Sequence, residues 1–138
     1  MQNRDQEGEA TLRKALTLAP DNADVLHALG LLLVRSGKKN KALEMFERAA
    51  KFGPENFRNG YVYAVALSSD GKNKQALNVL EETYQRHPND PQLVFMLASL
   101  YRDEGNRTKA LQFAETLLAL VPQDPGARQL VESLQFMK

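Results

Sequence analysis

Four prolines, Pro20, Pro54, Pro88 and Pro122, recur at a constant interval of 34 residues in a chain of 138. A period of that length constrains the fold more than any local propensity does. Each copy must be one supersecondary unit that buries its apolar face only by stacking on its neighbours. Three further series keep the same interval: the glycines Gly37, Gly71 and Gly105, the alanines Ala42, Ala76 and Ala110, and the leucines that follow them, Leu43, Leu77 and Leu111.

Between each proline and the next glycine the apolar spacing is helical. Leu26, Leu29, Gly30 and Leu33 share one face in the first copy, Tyr63, Ala64 and Leu67 in the second, and Val94, Leu97, Ala98 and Tyr101 in the third. A second helix follows each glycine, carrying Ala42, Leu43, Phe46 and Ala49, then Ala76, Leu77 and Leu80, then Ala110, Leu111, Ala114 and Leu118. Each copy therefore reads as helix, tight turn, helix. The glycines suit the left-handed conformation that ends a helix, and Asn22, Asn56, Asp90 and Asp124 stand where a side chain can accept from the free amides of the next one. Small residues at Gly30, Ala64 and Ala98 let paired backbones approach closely.

With Leu29-Gly30, Leu33, Ala42, Phe46, Ala49 and Pro54 in a 34-residue period, the chain resembles the tetratricopeptide repeat (TPR) family over nearly its whole length. The resemblance implies an all-α, right-handed superhelical solenoid of antiparallel helix pairs, with three full repeats plus one unpaired helix at each end. As a single domain it divides into a partial repeat holding only a second helix (1–22, the helix around 6–19), repeats at 23–56, 57–90 and 91–124, and a C-terminal capping helix (125–138). The large aromatic often found at the fourth position is replaced by Leu26, Gly60 and Val94, and Gly60 weakens its helix by about 1 kcal/mol relative to alanine.

The two ends differ. In the trailing helix Arg128, Glu132 and Gln135 replace packing residues while Leu130, Val131 and Leu134 remain apolar, the pattern of a closing cap. The leading helix, with Leu12, Ala15 and Leu16, has the spacing of a second helix whose partner would lie before Met1. The expectation is a C-terminal TPR segment of a larger bacterial protein, its exposed apolar edge either fraying or pairing with a second copy as a homodimer. A natural start with a short frayed helix is the alternative.

The resemblance implies that the first helices line a concave surface that holds a partner peptide or amphipathic helix. Projected onto it, this sequence supplies His27, Leu31, Val34 and Arg35, then Arg58, Tyr61, Val65 and Ser68, then Gln92, Phe95, Ser99 and Arg102. One column bears rings throughout (His27, Tyr61, Phe95), offering rigid contact area beside arginines able to pair with acidic side chains. Aromatic residues at helical spacing also pack into cores, so each of these positions has a purely structural reading. Cochaperones of the family grip a C-terminal carboxylate with lysine and asparagine, and His27, Leu31 and Tyr61 at the matching places argue against that ligand. The run from Ala98 to Asn106 is similar to TPR tails that follow multihaem cytochrome domains in bacterial exported proteins. A structural spacer or self-association element of such a larger protein is the competing reading of the chain.

Other functions find little support. Eighteen basic and 17 acidic side chains give a formal charge of +1, so the chain as a whole has no electrostatic reason to seek nucleic acid or anionic lipid. Lys38, Lys39, Lys41, Lys72, Lys74, Arg107 and Lys109 do fall at the turns joining paired helices. Cations near a helix C-terminus are favourable for its dipole, and no aromatics interleave there as single-strand binders need; nucleic acid is not the expected partner. The absence of cysteine excludes disulfides, thiolate metal sites, a Cys nucleophile and covalent haem attachment, and leaves the compartment, cytoplasmic or periplasmic, open. His27 and His87 lack a second ligand at metal spacing, His87 reading as a solvated turn residue. Glu81 and Glu82, like Asp103 and Glu104, read as solubility and capping groups without a pocket to raise a pKa. No enzyme and no cofactor are expected. The longest apolar stretch, Leu29 to Val34, falls far short of the roughly 20 residues of a membrane span, and the polar, acidic opening from Met1 is unlike a secretory signal.

Overall fold

The computed structural model describes residues 2–136, with side chains from residue 4 onward. The polar opening at Met1, Gln2 and Asn3 and the last two residues of the capping segment lie outside those described side chains. Among the described residues there are eight α-helices and no strand: α1 (Gln2–Leu18), α2 (Ala23–Arg35), α3 (Lys39–Phe52), α4 (Phe57–Ser69), α5 (Asn73–Arg86), α6 (Pro91–Asp103), α7 (Arg107–Leu120) and α8 (Pro125–Gln135). The all-α helical repeat expected from the period is the fold observed. The leading helix starts earlier than its apolar spacing suggested.

The chain forms two compact units, Met1–Asp70 and Gly71–Lys138. The first holds α1–α4 and the second α5–α8, so the division falls between the paired helices of the second copy. In the first unit α1 packs on α2, α2 on α3 and α3 on α4. Its centre is Leu26, Leu29 and Leu33 of α2 against Ala42, Phe46 and Ala49 of α3, all inaccessible to solvent or nearly so, with Leu12 and Leu16 of α1 and Val62 and Ala66 of α4 half-buried around them. Each leucine so buried contributes about 1.5–3 kcal/mol relative to exposure. Gly30 has a specific reason to be glycine: a Cβ there would stand 2.4 Å from Cε1 of Phe46, so the ring occupies the space a side chain would need. In the second unit α6 packs on α5 and α7, and α8 on α7, around Leu80, Leu93, Leu97, Ala114 and Leu134.

The punctuation is the one the sequence called for. Gly37, Gly71 and Gly105 have φ of 77°, 77° and 80°, where a side chain would be strained. Asn22 accepts from the amide of Val25, Asn56 from Arg58, Asp90 from Leu93 and Asp124 from Gly126. Second helices start differently: Lys38 and Lys72 precede α3 and α5 without a side-chain cap, whereas Asn106 accepts from the Lys109 amide at α7. On α8 Leu130, Val131 and Leu134 are buried, while Arg128, Glu132 and Gln135 are exposed. Arg107 donates through Nε to the Leu134 carbonyl (2.7 Å) and through Nη2 to that of Gln135 (2.9 Å), placing a cation on the negative end of α8.

Candidate binding surface

The first unit contains an apolar groove between α2 and α4. Each follows or precedes α3 through a short connection, so both run against α3, which floors the groove. Leu31 and Val34 of α2 form one wall, Val62, Val65 and Ala66 of α4 the other, and Ala42, Leu43 and Phe46 of α3 the base. The cavity volume is about 230 Å³, and Lys39, Ser69 and Asp70 close one end. Leu31 and Val34 remain 45% and 47% exposed, which is unusual for large aliphatic side chains beside an otherwise sealed core. Three of the expected residues, Leu31, Val34 and Val65, therefore meet in one depression.

The others in this unit are placed differently. His27 is half-buried with its ring on Phe46 (centroids 6.0 Å apart), and its Nδ1 is buried without a hydrogen-bond partner. Burial, followed by the positive charge of Arg58, lowers its pKa below the usual 6.5, while Asp24 opposes them. The ring belongs partly to the core, in surroundings that disfavour its charged form. Tyr61 is half-buried, edge-on to Phe57 at 6.4 Å, and Arg58 is exposed. Ser68 is half-buried and has a partner of its own. Arg35 turns to α1, where Nη2 meets Oδ1 of Asp5 at 3.1 Å, so it is not among the residues lining the groove.

In the second unit Gln92 and Phe95 are exposed on α6, Phe95 by 49%, with Ser99 and Arg102 half-buried. Arg102 lies 3.5 Å from its neighbour Asp103. Behind them is a cluster the sequence did not suggest. Tyr101 donates its hydroxyl to Glu81, stacks on Phe113 at 5.9 Å and lies under Lys109, whose Nζ is 3.7 Å from Glu81. Glu81 is thus a structural acceptor, not merely a solubility group. The first unit repeats the device, Tyr63 donating to Glu47 at 2.9 Å. The acceptors stand one period apart, at 47 and 81, while the donors are offset by one helical turn, so no 34-residue alignment of tyrosines exists to reveal the pair.

The row of cations at the turns needs a different explanation from the one the sequence suggested. Lys39 and Lys41, Lys74, and Arg107 and Lys109 lie in the first turns of α3, α5 and α7, where the helix dipole opposes a positive charge. Several are held by contacts within the fold: Lys38 by Glu9 (3.6 Å), Lys109 by Glu81, and Arg107 by the end of α8. His87 is half-buried at the end of α5 and has a partner, so it is not simply solvated. Among the described residues no group of three or more His, Asp or Glu side chains could hold a metal, and no helix is long and apolar enough to cross a membrane.

A repeat of paired helices with an open apolar groove is what TPR proteins have in common, and comparison with known families decides which kind. The family described as the cytochrome c-type biogenesis protein H TPR domain matches residues 6–128. The chain belongs to this family. No curated protein matches the sequence of this TPR domain. Solved structures similar to it include MamA from Desulfovibrio magneticus (21% identity, 95% of this chain and 74% of that one, TM-score 0.78), a tetratricopeptide repeat protein from Parabacteroides merdae (22%, 92% and 52%, 0.81) and PilF from Pseudomonas aeruginosa (21%, 98% and 62%, 0.79). The TM-scores establish the shared fold, and at identities this low they establish the fold alone. TPR domains are in general non-catalytic scaffolds for protein–protein interaction.

Apart from Leu31, Val34 and Val65, the groove residues were not expected at the site: Ala42, Leu43 and Phe46 at the base, Val62 and Ala66 in the wall, and Lys39, Ser69 and Asp70 at the end. Val62 and Ala66 are four apart on α4, and Leu43 belongs to the recurring Ala-Leu pair. Leu43 reads as part of a packing face and Val62 and Ala66 fall beside the Tyr63, Ala64 and Leu67 stripe, and periodicity alone does not tell a buried stripe from the wall of a cleft.

Proposed function

We propose that this TPR domain binds the apolar face of a peptide or amphipathic helix in the groove between α2 and α4 of the first unit; in the second unit the exposed face of α6 with Phe95, Gln92, Ser99 and Arg102 is a separate candidate contact surface. The observation that carries the reading is the exposure of Leu31 and Val34 over a cavity whose walls and floor are almost wholly aliphatic or aromatic. Water in such a cleft gains few hydrogen bonds, so replacing it with apolar side chains is favourable at about 25 cal/mol per Å² buried. Given the family's description, the client is a polypeptide handled in c-type cytochrome biogenesis, and a haem-free cytochrome c chain is the probe of choice.

Methyl NMR during titration with that chain tests the proposal. Shifts concentrated on Leu31, Val34, Val62, Val65 and Ala66 are expected, together with loss of binding in Leu31→Asp, Val65→Asp. Undiminished binding by that variant refutes the groove, and undiminished binding by Tyr61→Ala, Phe95→Ala refutes the ring contacts. Self-association without any added chain, blocked by the same Leu31 and Val65 changes, would instead favour a second copy as occupant.

A further inference from the structure

Resting on that reading, we infer that the groove selects a segment whose apolar anchors are bracketed by carboxylates, one near Arg58 and one near Lys39. The argument turns on which charges around the groove are already committed. Arg35 is paired with Asp5, Lys38 with Glu9, and Asp70, at the closed end, has a partner of its own. Among the described residues neither Arg58 nor Lys39 makes an ion pair, and both are exposed. Asp24 is the acidic side chain that opposes Arg58 in the field at His27, and it sits in the first turn of α2, where the dipole favours it.

The two free cations flank the cleft along its length. Lys39 lines one end beside Ser69 in the last turn of α4, and Arg58, in the first turn of α4, stands one helical turn before the wall residue Val62 on the face that also carries Val65 and Ser69. Eleven residues of helix separate Arg58 from Ser69, about 16 Å at 1.5 Å per residue. An occupying helix laid along the cleft spans that distance in three turns, so its carboxylates fall at positions i and i+11. Large apolar residues at i+4 and i+7 or i+8 then face Leu31, Val34, Val62 and Val65. A segment with lysines in place of the acids meets two like charges that no described acidic side chain offsets by an ion pair.

The chemistry is testable with three synthetic helical peptides that share the same apolar residues and carry Glu, Gln or Lys at the two bracketing positions, titrated against the full chain. At low salt the Glu peptide is expected to bind about tenfold more tightly than the Lys peptide, with Gln between, and the spread should narrow as salt rises. Arg58→Glu, Lys39→Glu reverses the order; both positions are exposed, and an unchanged helical spectrum confirms that the variant folds. The imidazole resonances of His27 give a second, local readout. A carboxylate against Arg58 offsets the guanidinium that disfavours imidazolium, so the His27 titration moves upward with the Glu peptide and stays with the Gln peptide. Equal affinities for all three peptides, or an order unaffected by charge reversal, overturn the bracket while leaving the groove standing. Failure of every peptide to bind, the Gln form included, removes the groove reading and the bracket with it.

Discussion

Single side chains carry more of this fold than their number suggests, and Gly30 is the sharpest case. Alanine there gains about 1 kcal/mol of helix propensity, but its Cβ meets the edge of Phe46, a ring in the sealed core that cannot swing away. Overpacking of that kind costs about 1–3 kcal/mol. Gly30→Ala is therefore expected to destabilise the wild type by about 1 kcal/mol and to stabilise a Phe46→Leu background, as read by urea unfolding; a loss of the same size in both backgrounds would refute the contact. Tyr63 gives a pH signature. Burial, then its hydrogen bond to Glu47, pushes its pKa up to about 12, against 10 in an unfolded chain. The folded state holds the proton more tightly, so the stability this adds is complete below pH 10 and is lost as pH rises toward 12. Tyr63→Phe should flatten that part of the stability profile, and tyrosinate absorbance should show one late-titrating ring fewer. His27 works in the opposite direction: with its folded pKa below 6.5, acidification through that value favours the unfolded chain.

At the scale of the helices, caps and turns were readable because one residue type at one position suffices. An asparagine or aspartate before a helix and a glycine after it have few alternative uses. Asn59 shows where such reading stops. It is buried in the first turn of α4 and donates to the Gly53 carbonyl at 2.8 Å, locking the connection between α3 and α4, yet an asparagine near a helix start looks like any other polar residue. The leading helix rests Leu12 and Leu16, both half-buried, on the core, and ionic contacts add to that hold. None of its described residues is fully buried, and Asp5 to Arg35 and Glu9 to Lys38 tie it to α2 and to the turn after it. Exposed pairs of this kind contribute about 0.2–1 kcal/mol each and are screened by salt. Hydrogen exchange should accordingly show α1 opening more readily than α2 and α3, and more readily still in molar salt. Equal protection of α1 and α3 at every salt concentration would show that Leu12 and Leu16 alone suffice.

For the molecule as a whole, the period disclosed the architecture because a stacked repeat states its own contacts over and over in sequence. It could not disclose the groove with the same certainty: whether Leu31 seals a core or stands open depends on how far α2 and α4 lie apart, a distance set by the sum of many packings. That distance leaves the first unit with an unfilled apolar cleft, and a ligand that fills it must stabilise the folded form. A peptide at about 100 times its Kd adds about 2.7 kcal/mol to the stability of whatever it binds. Amides of α2, α3 and α4 that exchange only through opening of the first unit should then slow by up to about a hundredfold. The measurement also locates the site without mutation, because slowing confined to α6 would move the contact to Phe95. Unchanged exchange throughout α2–α4 at saturating peptide would mean that the cleft is not where the peptide goes.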